Sequence, residues 1–192
     1  MTITFQGLSP TDRDTVTEIW NDMMATLAAP DQLDTNITRW FGANCPAAFR
    51  TGMPRVLRKF RTCMNLCNVT LMCCDLDDRD IDTFGAAYLN TNTGFAEIIN
   101  FNPATQPDLK LELDSQWNIG ISRYKTATDR DSAYQTIAHE LSHLLMATND
   151  HPWAFGSKCY GETKCRLLAT NNDVRALTNA DNWGYFIEDL RG

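Results

Sequence analysis

The chain has 192 residues, a formal net charge of −7 at pH 7, and 43% hydrophobic against 21% charged residues. This length predicts one domain, residues 1–192, and the acidic balance argues against a nucleic-acid partner, because binding phosphates requires a basic face. The apolar runs are far shorter than the roughly 18 residues of a membrane-spanning helix, so we expect no membrane span.

Three helices are predicted in the first third of the chain. Pro10 follows a serine of the type that caps helices, and apolar residues keep helical spacing from there to about Ala28. A short helix is predicted at residues 37–41 and a longer one at residues 46–64.

The middle of the chain has the short apolar or alternating runs that are typical of β-strands. These runs are residues 69–73, 86–89 and 96–101, and turns rich in Asp, Asn and Gly separate them. The last run is the candidate edge strand, which could hold an extended peptide. Residues 103–130 are predicted to form a loop-rich connection, with residues 117–121 extended.

A helix that carries chemistry is predicted from residue 131 to about Met146. It contains His139-Glu140-Leu-Ser-His143, the HExxH pattern that zinc peptidases place on a helix. The two histidines stand one turn apart on the same face, so both imidazoles can reach one cation, and Glu140 lies near enough to act on a bound water. Further helices are predicted at residues 159–169, 173–177 and 180–190.

The order of these elements predicts an α+β fold. N-terminal helices precede a small twisted sheet, and the HExxH helix and the C-terminal helices follow it, which differs from alternating βαβ units. This order suits a zincin-like layout, in which the active-site helix lies beneath the sheet.

The sequence contains seven cysteines, an odd number that leaves at least one without a partner in the chain. Their density predicts disulfides and an oxidising compartment, and Cys159 and Cys165 are close enough in sequence to pair locally. Residues 1–7 lack the basic and apolar regions of a signal peptide. We therefore expect a secreted, extracellular protein, delivered either as a mature domain or by a route that needs no signal peptide.

A catalytic zinc usually takes three protein ligands and keeps a fourth position for water. The third ligand has to lie outside HExxH. The glycine and histidine that metzincins have three and six residues after the second histidine are absent. A glutamate from a later helix would give the gluzincin arrangement. The candidates for the third ligand are Asp150, His151, Glu162, Asp181 and Glu188.

Four sequence elements, in order, resemble the aspzincins, the deuterolysin and peptidyl-Lys metalloendopeptidase family. The first is residues 39–42 (Arg-Trp-Phe-Gly), which is similar to the family's Trp-Phe-Gly turn, and the second is HExxH. Residues 147–153 (Ala-Thr-Asn-Asp-His-Pro-Trp) resemble the motif Gly-Thr-x-Asp-x-x-Tyr-Gly. Residues 179–186, which begin Asn-Ala-Asp and end Tyr-Phe, resemble the family's C-terminal segment.

The resemblance implies a zinc-dependent endopeptidase that holds one Zn²⁺ through His139, His143 and Asp150. It implies that Glu140 is the general base for a zinc-bound water that attacks the peptide carbonyl. It also implies that Asp181 lines the pocket for the residue after the scissile bond, where a carboxylate favours a basic side chain. The implied partner is a protein or peptide substrate, and we expect a monomer.

The sequence departs from the motif at its first glycine, which is Ala147, and at its tyrosine, whose place Trp153 takes. In the family this tyrosine donates a hydrogen bond to the oxyanion, and the loss of such a donor typically costs about 10²–10³-fold in rate. Trp153 could act through its indole N–H, or Tyr160 or Tyr185 could replace the donor. A catalytically weak or inactive zinc-binding relative, acting as a binding or toxin-like module, is therefore the second hypothesis. A cysteine-rich structural domain without metal is the third.

Overall fold

The computed structural model describes residues 2–74, 85–89, 108–114, 122–126 and 131–192. These residues form an α+β fold, as predicted. The helices are α1 (Pro10–Ala28), α2 (Leu33–Phe41), α3 (Ala47–Leu66), α4 (Ala133–Met146), α5 (Glu162–Thr170) and α6 (Ala180–Asp189). The strands are β1 (Thr2–Gln6), β2 (Asn68–Cys74), β3 (Gly85–Leu89) and β4 (Asp108–Asp114).

The helices confirm the predictions in type and differ from them by a few residues at their ends. The Ser9 hydroxyl accepts a hydrogen bond of 3.2 Å from the Asp12 backbone N–H, so Ser9 is the N-cap of α1. Residues 173–177 form a 3₁₀ turn, Val174–Leu177, in place of the predicted short helix. Among the described helices, none combines the length and the apolar character needed to cross a bilayer.

The sheet has the strand order β1-β2-β4-β3, in which β1, β2 and β4 are parallel and β3 is antiparallel to β4. The sequence did not predict β1 or β4, and the loop predicted over residues 103–130 is therefore wrong for residues 108–114. Every second residue of β4 from Leu109 to Leu113 is buried, which is the period of a strand. The alternate positions, Lys110 and Glu112, are charged, so the segment has the alternation of a strand with one buried face, and the loop prediction overlooked it. The predicted strand at residues 96–101 and the extended segment at 117–121 lie outside the described residues.

Helices α4 and α6 pack against each other at the centre of the protein. Twelve of the 14 residues of α4 and nine of the 10 residues of α6 are buried. A Cβ at Gly184 would lie 3.0 Å from the Gln135 carbonyl oxygen, so the glycine permits this close approach of the two helices. α4 also contacts β3 and β4, which confirms that the HExxH helix lies against the sheet.

The turn after α2 is fixed against the C-terminal helices. Trp40 stacks on Tyr185 of α6 with ring centroids 5.1 Å apart, and Asn182 donates a hydrogen bond of 2.7 Å to the Trp40 carbonyl. Gly42 has a φ of +92°, and a Cβ there would lie 2.6 Å from the carbonyl oxygen of Ala169. The glycine of the Trp-Phe-Gly turn is therefore required both by its backbone conformation and by the space available.

Two of the cysteines that were predicted to pair are neighbours in the folded protein. Cys159 and Cys165 are both buried, and the Cys165 thiol donates to the Cys159 carbonyl at 3.9 Å. Both are thiols in this structure, and their disulfide stays a prediction. Burial raises the pKa of the Cys63 thiol to about 11, so this cysteine is protonated and unreactive near neutral pH.

Candidate metal centre

The end of α4 and the chain that follows it bring three potential metal ligands together. Nε2 of His139 lies 3.1 Å from Nε2 of His143. Oδ1 of Asp150 lies 3.2 Å from the first nitrogen and 3.3 Å from the second. Atoms bound at about 2.0–2.1 Å to one tetrahedral zinc are about 3.3–3.4 Å apart, so this ligand triangle has nearly the size that one zinc requires.

The second ring nitrogen of each histidine is engaged by the protein. Nδ1 of His143 lies 2.9 Å from the carbonyl oxygen of Thr148, which can only accept, so Nδ1 carries the proton. Nδ1 of His139 lies 2.5 Å from Oδ1 of Asp181, a carboxylate that accepts in the same way. With both imidazoles neutral, as metal binding requires, the two Nε2 atoms present lone pairs to the ligand triangle.

The chemistry of the ligand triangle also fits a cation. Its three corners are electron-pair donors, and Oδ1 of Asp150 is buried without a hydrogen-bond donor among the described residues. Such atoms repel one another at about 3.3 Å unless a cation lies between them, and a buried carboxylate oxygen without a partner is unfavourable. The residues thus fit a zinc ion both in spacing and in donor type.

A tight turn after α4 aims Asp150 at the two histidines. Ala147 adopts the left-handed conformation, with φ 61° and ψ 33°, and ends the helix. The next residues pair with the start of α6: Asn149 N–H donates to the Thr178 carbonyl at 2.8 Å, and Ala180 N–H donates to the Asn149 carbonyl at 3.1 Å. The position of Asp150 is therefore set by backbone bonds on the residue that precedes it.

The left-handed turn predicts the effect of one substitution. We expect Ala147→Gly to raise the free energy of unfolding by about 0.5–1 kcal/mol. Glycine removes the left-handed penalty of roughly 1–2 kcal/mol that alanine has in the folded state. This gain exceeds the roughly 0.4–1 kcal/mol by which the greater conformational entropy of glycine stabilises the unfolded chain. Calorimetry with zinc at saturation should show Tm higher by about 1–4 °C. An equal or lower Tm would contradict strain at this residue.

Asp181 lies behind His139, on the side of the imidazole that faces away from the ligand triangle. Its exposed fraction is 3%, and its Oδ1 contacts His139 and accepts from Nε2 of Gln135 at 3.1 Å. Its Oδ2 accepts from the Gly161 backbone N–H at 2.7 Å. Both oxygens are bonded inside the protein, an arrangement that suits a partner of His139, and the substrate-binding role that the resemblance implied stays a prediction. Gln135, one turn before His139 on the same face of α4, was not recognised from the sequence.

Trp153 does not lie with the metal ligands. It packs against a small buried cluster whose members include Cys159 and Leu168, which does not fit the predicted catalytic role. Tyr160 is at the site instead. Its hydroxyl donates to Oδ2 of Asp150 at 2.9 Å, and its ring centroid lies 5.9 Å from that of His139. The sequence does contain a signal for Tyr160, because residues 160–161 are the Tyr-Gly pair with which the family motif ends.

Tyr185, the other tyrosine considered as a donor, is engaged away from the ligand triangle. Its hydroxyl donates to Oδ1 of Asp131. Burial raises the pKa of Asp131 to about 6, and the negative charge of Asp181 adds to this effect. Tyr185 therefore belongs to the polar contacts behind the site.

Glu140 is buried beside the ligand triangle. Its exposed fraction is 5%, and its Oε1 lies 3.9 Å from Nε2 of His139. Burial raises the pKa of the Glu140 carboxyl, and the nearby histidines oppose this shift. A raised pKa suits a group that takes up a proton and gives it back near neutral pH.

The other candidate third ligands have partners elsewhere. Glu162 lies 3.0 Å from Nζ of Lys125, and Oε1 of Glu188 accepts from the Lys125 backbone N–H at 2.8 Å. Nε2 of His151 lies 2.8 Å from the Thr178 hydroxyl. The gluzincin arrangement, with a glutamate as the third ligand, is therefore not what this geometry contains.

Comparison with known sequences gives one family and two curated relatives. The aspzincin family model, described as lysine-specific metallo-endopeptidase, matches residues 26–188. The peptidyl-Lys metalloendopeptidase of Armillaria mellea is 36% identical over 64 residues, which are 33% of this chain and 17% of the relative. The extracellular protease of Aeromonas hydrophila is 42% identical over 64 residues, which are 32% and 16%. The match thus spans about one sixth of each relative's length.

Comparison with solved structures supports the fold. A zinc peptidase from Grifola frondosa superposes with a TM-score of 0.64 over 95% of this chain and 97% of that chain. The two sequences are 20% identical, so the likeness shows that the fold is shared.

Proposed function

Because the chain belongs to the aspzincin family of zinc metalloendopeptidases, we propose that it hydrolyses peptide bonds within protein substrates at one Zn²⁺. The ligands are His139, His143 and Asp150. The observation that carries this proposal is the ligand triangle, in which two lone-pair nitrogens and a carboxylate oxygen lie 3.1–3.3 Å apart. Zinc supplies a Lewis acid that polarises a carbonyl and lowers the pKa of water to about 7.

Glu140 is the group that we assign to proton transfer. Its carboxylate takes the proton from the attacking water and then delivers it to the leaving amine. The distance of 3.9 Å between Oε1 of Glu140 and Nε2 of His139 supports this role, because it puts the carboxylate within reach of a water held at the ligand triangle. The small exposed fraction of Glu140 also keeps bulk solvent from competing for the proton.

Tyr160 is the group that we assign to the oxyanion. Its hydroxyl is bonded to Asp150, so it lies beside the ligand triangle and can turn its proton toward a substrate oxygen there. Asp181 holds the Nδ1–H of His139 and is a positioning residue. The hypothesis of an inactive relative depended on the replacement of the motif tyrosine by Trp153, and Tyr160 removes that ground.

We expect Tyr160→Phe to lower kcat by about 10²–10³-fold and to leave KM nearly unchanged, because the phenol acts on charge that develops in the transition state. Steady-state hydrolysis of a quenched fluorescent peptide measures both constants. Trp153→Phe is the matched control, and its kcat should stay within a few-fold of wild type. A rise in KM with kcat intact would assign Tyr160 to substrate binding instead.

A preference for a basic residue after the scissile bond is part of the proposal. The family description and the net charge of −7 support it. We assign Asp181 to His139 and not to this preference, because both of its oxygens are bonded inside the protein. On this proposal, the acidic group that would meet a lysine ammonium is another residue. The sites cleaved in an unfolded protein measure the preference directly.

We propose that residues 1–192 work as one domain and as a monomer. The support is that every side chain assigned to the site comes from a single copy of the chain. The Aeromonas relative is an extracellular protease, and this supports action outside the cell.

The experiment that tests the proposed function is digestion of an unfolded protein by the zinc-loaded chain. Cleavage should stop in the presence of a chelator and return when zinc is restored, with the new peptide ends identified by mass spectrometry. A chain that binds one zinc but hydrolyses none of a broad set of peptides would contradict the proposal.

A further inference from the structure

The residues between Asp150 and Tyr160 form a closed hairpin. In the motif Gly-Thr-x-Asp-x-x-Tyr-Gly two residues separate the aspartate from the tyrosine, whereas here the segment is residues 151–159. Cys159 N–H donates to the His151 carbonyl at 2.8 Å, and residues 152 and 158 form an antiparallel bridge. The closed base of this hairpin explains how Asp150 and Tyr160 stay in hydrogen-bond contact.

The Asn179 side chain bonds to both ends of the hairpin. Its Oδ1 accepts from the His151 backbone N–H at 3.3 Å, and its Nδ2 donates to the Cys159 carbonyl at 3.2 Å. The second Nδ2 hydrogen goes to Oδ1 of Asn182 at 2.9 Å. Asn179 is only 1% exposed, so water cannot replace these bonds if the carboxamide is removed.

The backbone on either side of Asn179 holds the chain that precedes Asp150. The flanking residues, Thr178 and Ala180, make the two bonds that hold Asn149, the residue before Asp150. The same short stretch therefore holds the chain before Asp150 through its backbone and the chain after it through a side chain. The carboxamide both accepts from an N–H and donates to a C=O at the hairpin base, and alanine can do neither.

We propose that Asn179 is a positioning residue for the metal centre, which joins the two ends of the hairpin so that Asp150 and Tyr160 stay side by side. This inference rests on the proposed function, since it concerns how a zinc ligand is held. Without the carboxamide, the His151 N–H and the Cys159 carbonyl are left without these partners at a buried position, and the hairpin base opens.

The first test is zinc affinity, measured by competition with a chelator of known affinity. Asn179→Ala should weaken zinc binding by about 10–100-fold, the usual effect of removing a group that supports a ligand. Asn36→Ala is the matched control, because Asn36 is also a buried asparagine that bonds to two carbonyls, those of Asp31 and Asp189. The control should keep wild-type affinity even if it lowers Tm by a similar amount.

A second variant separates positioning from a general loss of stability. Replacing residues 151–159 by two residues restores the motif spacing, so Asp150 and Tyr160 no longer depend on the hairpin. In that background Asn179→Ala should change zinc affinity by less than about threefold. An equal loss of affinity in both backgrounds would overturn the inference.

Hydrogen exchange gives a readout that does not require the shortened variant to fold. In zinc-free Asn179→Ala the amide of Cys159, which closes the hairpin base, should exchange at least about tenfold faster than in wild type. The amides of α4 should be unchanged. Wild-type exchange at Cys159, or wild-type zinc affinity in Asn179→Ala, overturns the inference. A wild-type protein that binds no zinc overturns the proposed function instead.

Discussion

Glu140→Gln is expected to lower kcat by about 10²–10⁴-fold, the range that general acid–base catalysis contributes. Glutamine keeps the size and the buried position of the side chain but cannot accept a proton at neutral pH. The ligand triangle does not include Glu140, so zinc content should remain at one ion per chain. Peptide hydrolysis and elemental analysis of the same preparation measure the two quantities together.

The control for this variant is Glu162→Gln. Glu162 is also buried but pairs with Lys125 away from the ligand triangle, so its replacement should leave kcat within a few-fold of wild type. Wild-type turnover in Glu140→Gln would remove Glu140 from proton transfer. Loss of zinc in this variant would show that Glu140 supports the ligands as well.

Asp150→Ala is expected to weaken zinc binding by more than about 100-fold. Removal of a residue that only hydrogen-bonds to a ligand already lowers metal affinity by about 10–100-fold. Asp150→Ala removes a ligand itself, together with its negative charge. It also removes the carboxylate that holds the Tyr160 hydroxyl beside the ligand triangle, so activity should be lost even at saturating zinc. Chelator competition gives the affinity, and hydrolysis at high zinc gives the activity.

Glu188 is the alternative third ligand, because a gluzincin arrangement would take a glutamate from a later helix. Glu188 accepts hydrogen bonds from Lys125 and Ser132, so Glu188→Gln should keep wild-type zinc affinity. The reverse result, with zinc retained by Asp150→Ala and lost by Glu188→Gln, would assign the third ligand to the last helix and contradict the geometry of the ligand triangle.

The parts of the site that depend on local geometry could be predicted from the sequence. His139 and His143 are one helical turn apart, so their common face follows from the periodicity of the helix. Asp150 follows the helix by one short turn, and the resemblance to a family motif indicated it. These three side chains do meet in the structure.

The parts that depend on tertiary contacts could not be read in the same way. The contact between Asp181 and His139 exists because α4 and α6 pack side by side, and no spacing in the sequence encodes it. Tyr160 was considered only as a substitute, because the hairpin moves it away from the expected position in the motif. The strands β1 and β4 pair with β2 across long stretches of chain, and this pairing is not encoded in either segment alone, although both segments alternate as strands do.

The most direct test is an anomalous-scattering map at the zinc edge from crystals of the zinc-loaded protein. One peak is expected, about 2.0–2.1 Å from Nε2 of His139, Nε2 of His143 and Oδ1 of Asp150. A peak bound by other residues, or no peak where these three atoms converge, would contradict the assignment of this site as a catalytic zinc centre.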